Sequence, residues 1–444
     1  MNYLLAFLLI TFPNIFWQIL SIVLETNRSF INIDYFVVLL FFMMKRNFLA
    51  ILFLIVFSFF DFLNLFSQIF PFIRINDLFY LIQFSLLSAP INFLIPIIFF
   101  IFVFFYFKIM NKCKAQISVF NIVVFLNIFI FIMLFQNFFL GDNGSRLWQV
   151  TSEKIVDSQL LNTYELRSDG FLENFKSSGD VFQNVKVPSA SNDLFLNAEE
   201  HQKILLIVNE SWGVASKEIN NELIKDIKNN PKIKNYSISS MDFNGFTING
   251  EIRELCQTNL SHFNLKDQKS GFGHCLPNIY KNKGYITYAM HAATGAMYDR
   301  KYWYPKAGFQ NLIFRDTLPD LKSRCYSFPG FCDRDLLPYV TNAFRKDKVF
   351  FYWLTLNTHM NYDLRDLEKD SFDCGKYGLS VDSSVCRSLK LQKQFFYYLN
   401  ILINRPDMKS AYIIVVGDHA PPVYGEDKNV FEENKISILK VKVK

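Results

Sequence analysis

From Met1 to about Leu140 polar positions are scarce. Apolar runs near 4–23, 30–44, 47–66, 91–107 and 118–140 follow one another with few charges. Most are long enough to cross a hydrocarbon core of roughly 30 Å. The run at 30–44 is short, so its span is expected to begin nearer Arg28. A more polar segment near 71–90, carrying Arg74, Asp77 and Pro90, is expected to lie at the interface or to re-enter it. Any one of these runs reads equally well as a buried core helix. The set does not, because a water-soluble domain cannot bury so many helices that are apolar all round. No basic n-region precedes the first run and further runs follow at once, which argues against a cleavable signal. The pattern predicts a transmembrane domain of five spans over 1–141.

The pattern then changes. Residues 142–200 are mixed and polar, with Asp142-Asn143-Gly144 and a Pro188-Ser189-Ala190-Ser191 stretch. Trp148, Leu161, Phe171 and Phe175 suit short amphipathic segments on a membrane surface; an ordinary tether fits the same residues. Within 201–444, four apolar, strand-like runs each stop at a residue that can hold a metal or a phosphate. They read ILLIVN before Glu210, YITYAM before His291, VFFYWLTLNT before His359 and YIIVVG before Asp418-His419. In an open, mostly parallel α/β sheet, ligands bind just past the carboxyl ends of the strands. One strand that stops at a polar residue means little. Four that deliver Glu, His, His and Asp-His to one edge predict a single metal-dependent site.

Charge gives the orientation. Lys45-Arg46 lies between the second and third runs, and Lys108, Lys112 and Lys114 between the fourth and fifth. Basic loops stay cytoplasmic, so Met1 is expected inside and everything after the fifth span outside. These loops account for part of the net charge of +6, and no nucleic-acid partner is expected. The cysteines divide the same way. Cys113 falls in a predicted cytoplasmic loop, while Cys256, Cys275, Cys325, Cys332, Cys374 and Cys386 all follow the last span. An even number in an extracytoplasmic domain suggests disulfides. Pairing sequence neighbours gives 256–275, 325–332 and 374–386, one of fifteen possibilities. A zinc knuckle is the rival, although no short Cys-x-x-Cys pair exists.

Carboxylates with an imidazole suit Zn²⁺ or Mn²⁺ better than Ca²⁺. Gly417 lets the backbone turn so that Asp418 and His419 can face one ion. For a nucleophile, Thr247 stands before Ile252, Leu255 and Cys256, which share one helical face. It would sit near a helix N-terminus, where free N–H groups and the dipole favour an alkoxide and then a phosphate ester. The alternative is that Thr247 only caps that helix. Ser211 is the second candidate nucleophile.

Glu210-Ser-Trp-Gly, the Gly-x-Thr247 turn, His291-x₆-Tyr298-x-Arg300, Asn-Thr-His359 and Gly-Asp418-His419 together resemble the membrane phosphotransferases of the alkaline phosphatase/sulfatase superfamily. These include lipoteichoic acid synthases, phosphoglycerol transferases and lipid A phosphoethanolamine transferases. The resemblance covers nearly the whole chain, since five spans before an outer catalytic domain is also that family's layout. It implies an extracytoplasmic α/β domain of alkaline phosphatase/sulfatase-like fold with a mostly parallel central sheet over 201–444, after an interfacial linker at 142–200. By motif, Glu210, Thr247, Asp418 and His419 would hold one divalent metal, Zn²⁺ first and Mn²⁺ as the alternative, with Thr247 the nucleophile. His291, Tyr298 and Arg300 would bind the headgroup, and His359 would bind or polarise the phosphate. Tyr298 stands where the lipoteichoic synthases usually carry Trp. The cysteine set is closer to the phosphoethanolamine branch, and Glu-Ser-Trp closer to the phosphoglycerol branch.

The function so implied is transfer of a phospholipid headgroup phosphate, phosphoethanolamine or phosphoglycerol, through a phospho-threonine onto a cell-envelope glycan or glycolipid. The setting would be the bacterial inner membrane, with the catalytic domain in the periplasm and the donor in the bilayer. Three alternatives compete. A sulfatase needs a formylglycine from Cys-x-Pro-x-Arg, and the partial match Cys275-Leu-Pro277-Asn-Ile279 lacks the Arg. A two-metal phosphodiester hydrolase needs more ligands, and only six histidines exist, of which His201, His262 and His274 lie outside the strand-end set. A non-catalytic membrane scaffold or sensor would predict missing ligands. For each substrate residue the bland reading is structural: His291 and His359 as satisfied histidines, Arg300 paired with Asp299 or Asp316, and the Tyr302-Trp303-Tyr304 cluster as core.

Overall fold

The computed structural model describes residues 3–69 apart from 25 and 27, 94–140, 154–168, 173–318 apart from 199, and 325–444 apart from 329, 361, 424 and 425. The polar segment at 71–90, Asp142-Asn143-Gly144, Trp148 and Phe171 lie outside the described residues. The chain divides into two compact units, Met1–Asn174 and Phe175–Lys444.

Among the described residues the first unit has five apolar helices: α1 (Tyr3–Val23), α2 (Tyr35–Met43), α3 (Asn47–Ile69), α4 (Leu94–Cys113) and α5 (Val119–Leu140). All but α2 are long and apolar enough to cross a membrane. The exposed side chains of α4 include Ile97, Phe100, Ile101 and Phe104, a surface that suits lipid tails rather than water. At ~1.5 Å per residue, α2 reaches only ~14 Å. The run expected to begin near Arg28 is thus helical only in its second part. Its first part is claimed by polar tertiary bonds. Ile31–Asn32 (β1) pairs with Val156–Asp157 (β2). Asn32 N donates to Asn14 Oδ1 at 2.7 Å, and Asp34 accepts from Ser158 Oγ at 2.6 Å and Leu160 N at 2.9 Å.

Two contacts order the ends of these helices. Lys114 Nζ donates to Phe42 O at 3.2 Å, which brings the second basic loop to the end of α2 beside Lys45-Arg46. Asn64, about 26 Å along α3 from Asn47, donates to Gln159 O at 2.7 Å and Thr163 Oγ1 at 3.0 Å. Gln159 and Thr163 lie on α6 (Gln159–Ser168). The basic loops therefore share one end of the group, and the segment leading to the second unit docks at the other. Near that second end, Arg28 Nε meets Asp61 Oδ1 at 2.6 Å with both side chains buried. A desolvated pair holds only when its remaining bonds are satisfied. Asn14 Oδ1 takes Arg28 Nη2 at 2.8 Å, and Tyr35 Oη donates to Asp61 Oδ2 at 2.6 Å.

The second unit is built on a seven-stranded sheet: β3 (Lys203–Asn209), β4 (Ile233–Asp242), β5 (Ile286–His291), β6 (Asn311–Phe314), β7 (Val349–Leu354), β8 (Tyr412–Gly417) and β9 (Lys435–Val443). The order is β4-β9-β8-β3-β7-β5-β6. Strands β8, β3, β7, β5 and β6 are parallel, and β9 and β4 continue the sheet antiparallel. Every residue of β7 and β8 is buried. Strands covered on both faces need apolar side chains on both, which is why they read as unbroken apolar runs. The four sequence runs are β3, β5, β7 and β8, and they are neighbours in the sheet. Asn209 pairs with Gly417, and His291 with Leu354, so the strands end level. The disulfides join Cys256 to Cys275, Cys325 to Cys332 and Cys374 to Cys386, and Cys113 is free.

Candidate active site

The register of β3 and β8 puts Glu210 and Asp418 side by side, one residue past each strand end. Glu210, Asp418 and His419 each offer an atom within 4.8 Å of the others. His419 Nε2 lies 3.2 Å from Asp418 Oδ2 and 3.6 Å from Glu210 Oε1. The helix α7 (Thr247–Cys256) starts at the same point. Thr247 is its first residue, and Phe246 occupies the cap position. The Thr247 hydroxyl is not spent on its own helix; it donates to Asp418 Oδ2 at 2.9 Å.

Backbone geometry makes this meeting possible. A Cβ on Gly417 would stand 2.2 Å from Trp212 O, and one on Gly250 would stand 2.8 Å from Asp418 O. Glycine at both places lets β8 turn and lets α7 approach it. Ser211 has a left-handed φ of 55°, a strain that surrounding bonds must hold. Its N–H donates to Asp418 Oδ1 at 2.7 Å and its hydroxyl to Glu210 Oε1 at 2.9 Å. Gln392, on α9 (Ser384–Ile403), donates to Glu210 O at 2.9 Å and Ser211 O at 3.2 Å; Thr358 donates to Glu210 O at 2.6 Å.

Burial raises the Asp418 carboxyl to about 6, and the neighbouring Glu210 charge adds to it. Burial also raises Glu210, against the pull of His419 and the Ser211 hydroxyl. His419 moves the other way from ordinary burial: desolvation lowers it, but Asp418 and Glu210 together leave it raised. Two buried carboxylates that repel each other, with an imidazole facing both, make a cluster of ligand atoms suited to a divalent cation. The donor set is the mixed oxygen–nitrogen kind that Zn²⁺ and Mn²⁺ accept. His419 Nδ1 faces Ala420 O at 2.9 Å. A carbonyl only accepts, so Nδ1 holds a proton there; a metal bound between the carboxylates would take Nε2 in place of its proton, the usual arrangement of a metal-binding histidine.

His291 closes β5, fully desolvated. Burial drives its imidazole well below the ordinary range, helped by the Arg300 charge. His359 does not end its strand: β7 stops at Leu354, and His359 follows a turn that carries Thr358 to Glu210. Burial lowers it to about 4, and the charges of His419 and Asp418 reach it. Both rings face carbonyls through Nδ1, Leu354 O at 3.1 Å and Met360 O at 3.0 Å, so both direct Nε2 elsewhere while neutral. Tyr298 is buried with φ at 52°, and Asp299 follows at 54°. This pair of left-handed residues aims the start of α8 (Arg300–Ala307).

Three outcomes decide between alternatives that the sequence leaves open. Arg300 pairs with neither Asp299 nor Asp316; its partner is Glu251, at 2.8 Å and buried. Asp316 instead accepts from Gly295 N at 3.0 Å. Trp303 and Tyr304 are completely buried core, while Tyr302 is exposed. The six outer cysteines are all in disulfides, which leaves no thiolate for a zinc knuckle. Glu251, Gln392 and Tyr352 escaped the sequence reading. For Glu251 a signal existed, since it stands one turn after Thr247 on the same helix face.

Among solved structures, the chain is similar to the lipoteichoic acid synthase LtaP of Listeria monocytogenes, with 15% identity over 58% of this chain and 69% of that one, TM-score 0.44. It is similar to the zinc complex of the C-terminal periplasmic domain of EptC from Escherichia coli, with 15% identity over 55% and 74%, TM-score 0.38. It also spans 60% of an alkaline phosphatase superfamily protein from Vibrio parahaemolyticus, matched over 54% of its own length with 14% identity and TM-score 0.43. No curated protein matches. The Sulfatase family model matches residues 202–437, just over half of the chain and the sheet from β3 to the first residues of β9. With that match over more than half of its length, the chain belongs to the Sulfatase family.

Proposed function

We propose that the protein transfers a phospholipid headgroup phosphate, phosphoethanolamine or phosphoglycerol, through Thr247 onto a hydroxyl of an envelope glycan or glycolipid. The observation that carries this reading is the Thr247 hydroxyl, 2.9 Å from Asp418 and at the head of a helix that meets the Glu210, Asp418 and His419 group. Glu210, Thr247, Asp418 and His419 would hold one divalent metal, which supplies positive charge for the phosphoryl oxygens and lowers the hydroxyl pKa. The Thr247 hydroxyl gives up its proton toward Asp418 Oδ2, and its oxygen attacks the phosphodiester phosphorus. The bond from phosphorus to the glyceride oxygen breaks, and diacylglycerol leaves with a proton. The acceptor hydroxyl then attacks the phospho-threonine and restores Thr247, a ping-pong course. His291, Tyr298, Arg300 and His359 surround the headgroup phosphate, where fixed charge and donors matter most.

A lipid donor gives the apolar helices a purpose. The end-to-end arrangement of the basic loops and α6 supports a reading with the second unit on the periplasmic side of a bacterial inner membrane. The bond between Cys275 and Cys256 counts against a formylglycine at 275, hence against sulfatase chemistry. The test is detergent-solubilised protein incubated with headgroup-labelled phospholipid and Zn²⁺ or Mn²⁺. Diacylglycerol should appear, and intact-mass analysis should find an adduct on Thr247 whose mass names the headgroup. Diacylglycerol release with unmodified Thr247 would instead favour a hydrolase that uses water.

A further inference from the structure

One turn past Thr247, α7 carries a carboxylate that is completely buried. Glu251 Oε2 accepts from Arg300 Nε at 2.9 Å and Nη2 at 2.8 Å. Its Oε1 accepts from Tyr352 Oη at 3.1 Å and from Tyr304 Oη. Four donors fill the acceptor sites of one carboxylate, so Glu251 has no capacity left for a substrate or a metal.

Arg300 is different. Its Nε edge is taken by Glu251, and one Nη1 hydrogen faces Met297 O at 3.5 Å. A guanidinium carries five N–H groups, so its outer edge keeps one Nη1 and one Nη2 hydrogen. That edge matches two oxygens of a phosphate. The charge lies close enough to be felt by both Glu210 and His291, and the guanidinium stacks on Tyr298 with 4.8 Å to the ring centroid. A cation buried this deeply is tolerated only beside a matched anion. Glu251 supplies that anion, and the Tyr304 and Tyr352 hydroxyls fix the carboxylate's rotation.

We propose that Glu251 is a positioning residue for the transfer reaction: it clamps Arg300 by one edge and so presents the other edge to the donor phosphate. Because Glu251 and Thr247 share one turn of α7, that helix sets the spacing between nucleophile and guanidinium. The proposal rests on the reading that Arg300 meets the donor phosphate.

The experiment is a double-mutant comparison of full-length protein in detergent, with diacylglycerol release from phospholipid as rate and bound metal counted separately. Glu251→Gln and Arg300→Gln should each lower kcat/KM by about a hundredfold, the scale of a misplaced binding group. Much of the loss should lie in KM for the phospholipid, with metal content unchanged. The double variant should be no slower than Arg300→Gln alone. This comparison of the double variant with Arg300→Gln also stands if Glu251→Gln fails to fold, because the double variant removes both buried charges. A double variant slower than Arg300→Gln by a further large factor would overturn the clamp, as would loss of metal in Glu251→Gln. If Arg300→Gln is as fast as wild type, the reading of Arg300 as phosphate ligand fails and the clamp falls with it. If Arg300→Gln is slow while Glu251→Gln is not, that reading stands and only the clamp is refuted.

Discussion

Gly250→Ala separates helix stability from site geometry. In the middle of α7, alanine should stabilise the helix by ~1 kcal/mol relative to glycine. The new methyl would sit 2.8 Å from Asp418 O, 3.1 Å from its Cα and 3.3 Å from its carbonyl carbon. All three are backbone atoms at the end of β8, so no side chain can rotate away. To reach an ordinary separation of ~3.5 Å, α7 and Asp418 must part by roughly 0.5–0.7 Å. Overpacking of this kind costs ~1–3 kcal/mol, so the helix gain is offset and the net loss should be ~0–2 kcal/mol. The same parting stretches the 2.9 Å bond from Thr247 to Asp418 to about 3.5 Å, the edge of a useful hydrogen bond. Misplacement on that scale costs ten- to a hundredfold in rate. The assay is thermal unfolding together with diacylglycerol release and bound metal. A variant with raised Tm and wild-type turnover would refute the close approach of α7 to Asp418.

Thr247→Ala should lose one hydrogen bond, ~1 kcal/mol, yet abolish both the covalent adduct and diacylglycerol release; near-normal release would transfer the nucleophile's role to Ser211 or water. Asp61→Asn leaves Arg28 buried without its counter-charge and should destabilise the helical unit by ~3–5 kcal/mol, read as a lower Tm of the solubilised protein; an unchanged Tm would contradict the buried pair. Burial pushes the Asp333 carboxyl from 3.8 to about 7, against backbone N–H bonds from Asn357 and Leu356. The folded state thus keeps a proton that the unfolded chain releases, and the contribution of Asp333 to stability should be greatest below about pH 4 and decline as pH rises to about 7. Asp333→Asn should flatten that slope in melts across the window, and an identical slope in the variant would rule Asp333 out as its source.

Elements that obey a local rule are legible in the chain alone. Strands buried on both faces must be apolar throughout, so β3, β5, β7 and β8 are readable as runs, and the polar residues after them mark where the sheet ends. Lipid-facing helices are readable for a similar reason, since no water touches them. The basic loops and the partition of cysteines need only counting. Even the start of α7 follows from the spacing of Ile252, Leu255 and Cys256. The edge strand β4 was not readable, because its largely exposed residues follow no buried pattern. In β9 the burial alternates only in its second half, and that alternation is a local signal.

Tertiary structure decided what depends on residues far apart in the chain. The order of the strands follows from packing, and the pairing of Asn209 with Gly417 brings Glu210 beside Asp418. The shortness of α2 reflects bonds from Asn32 and Asp34 to Asn14, Ser158 and Leu160, which outweigh the helical preference of an apolar run. The sequence around Arg300 offers only Asp299 or Asp316 as partners, and its headgroup role comes from the family resemblance. Only the fold could bring it Glu251, because a buried cation takes the anion that packing supplies rather than the one nearest along the chain.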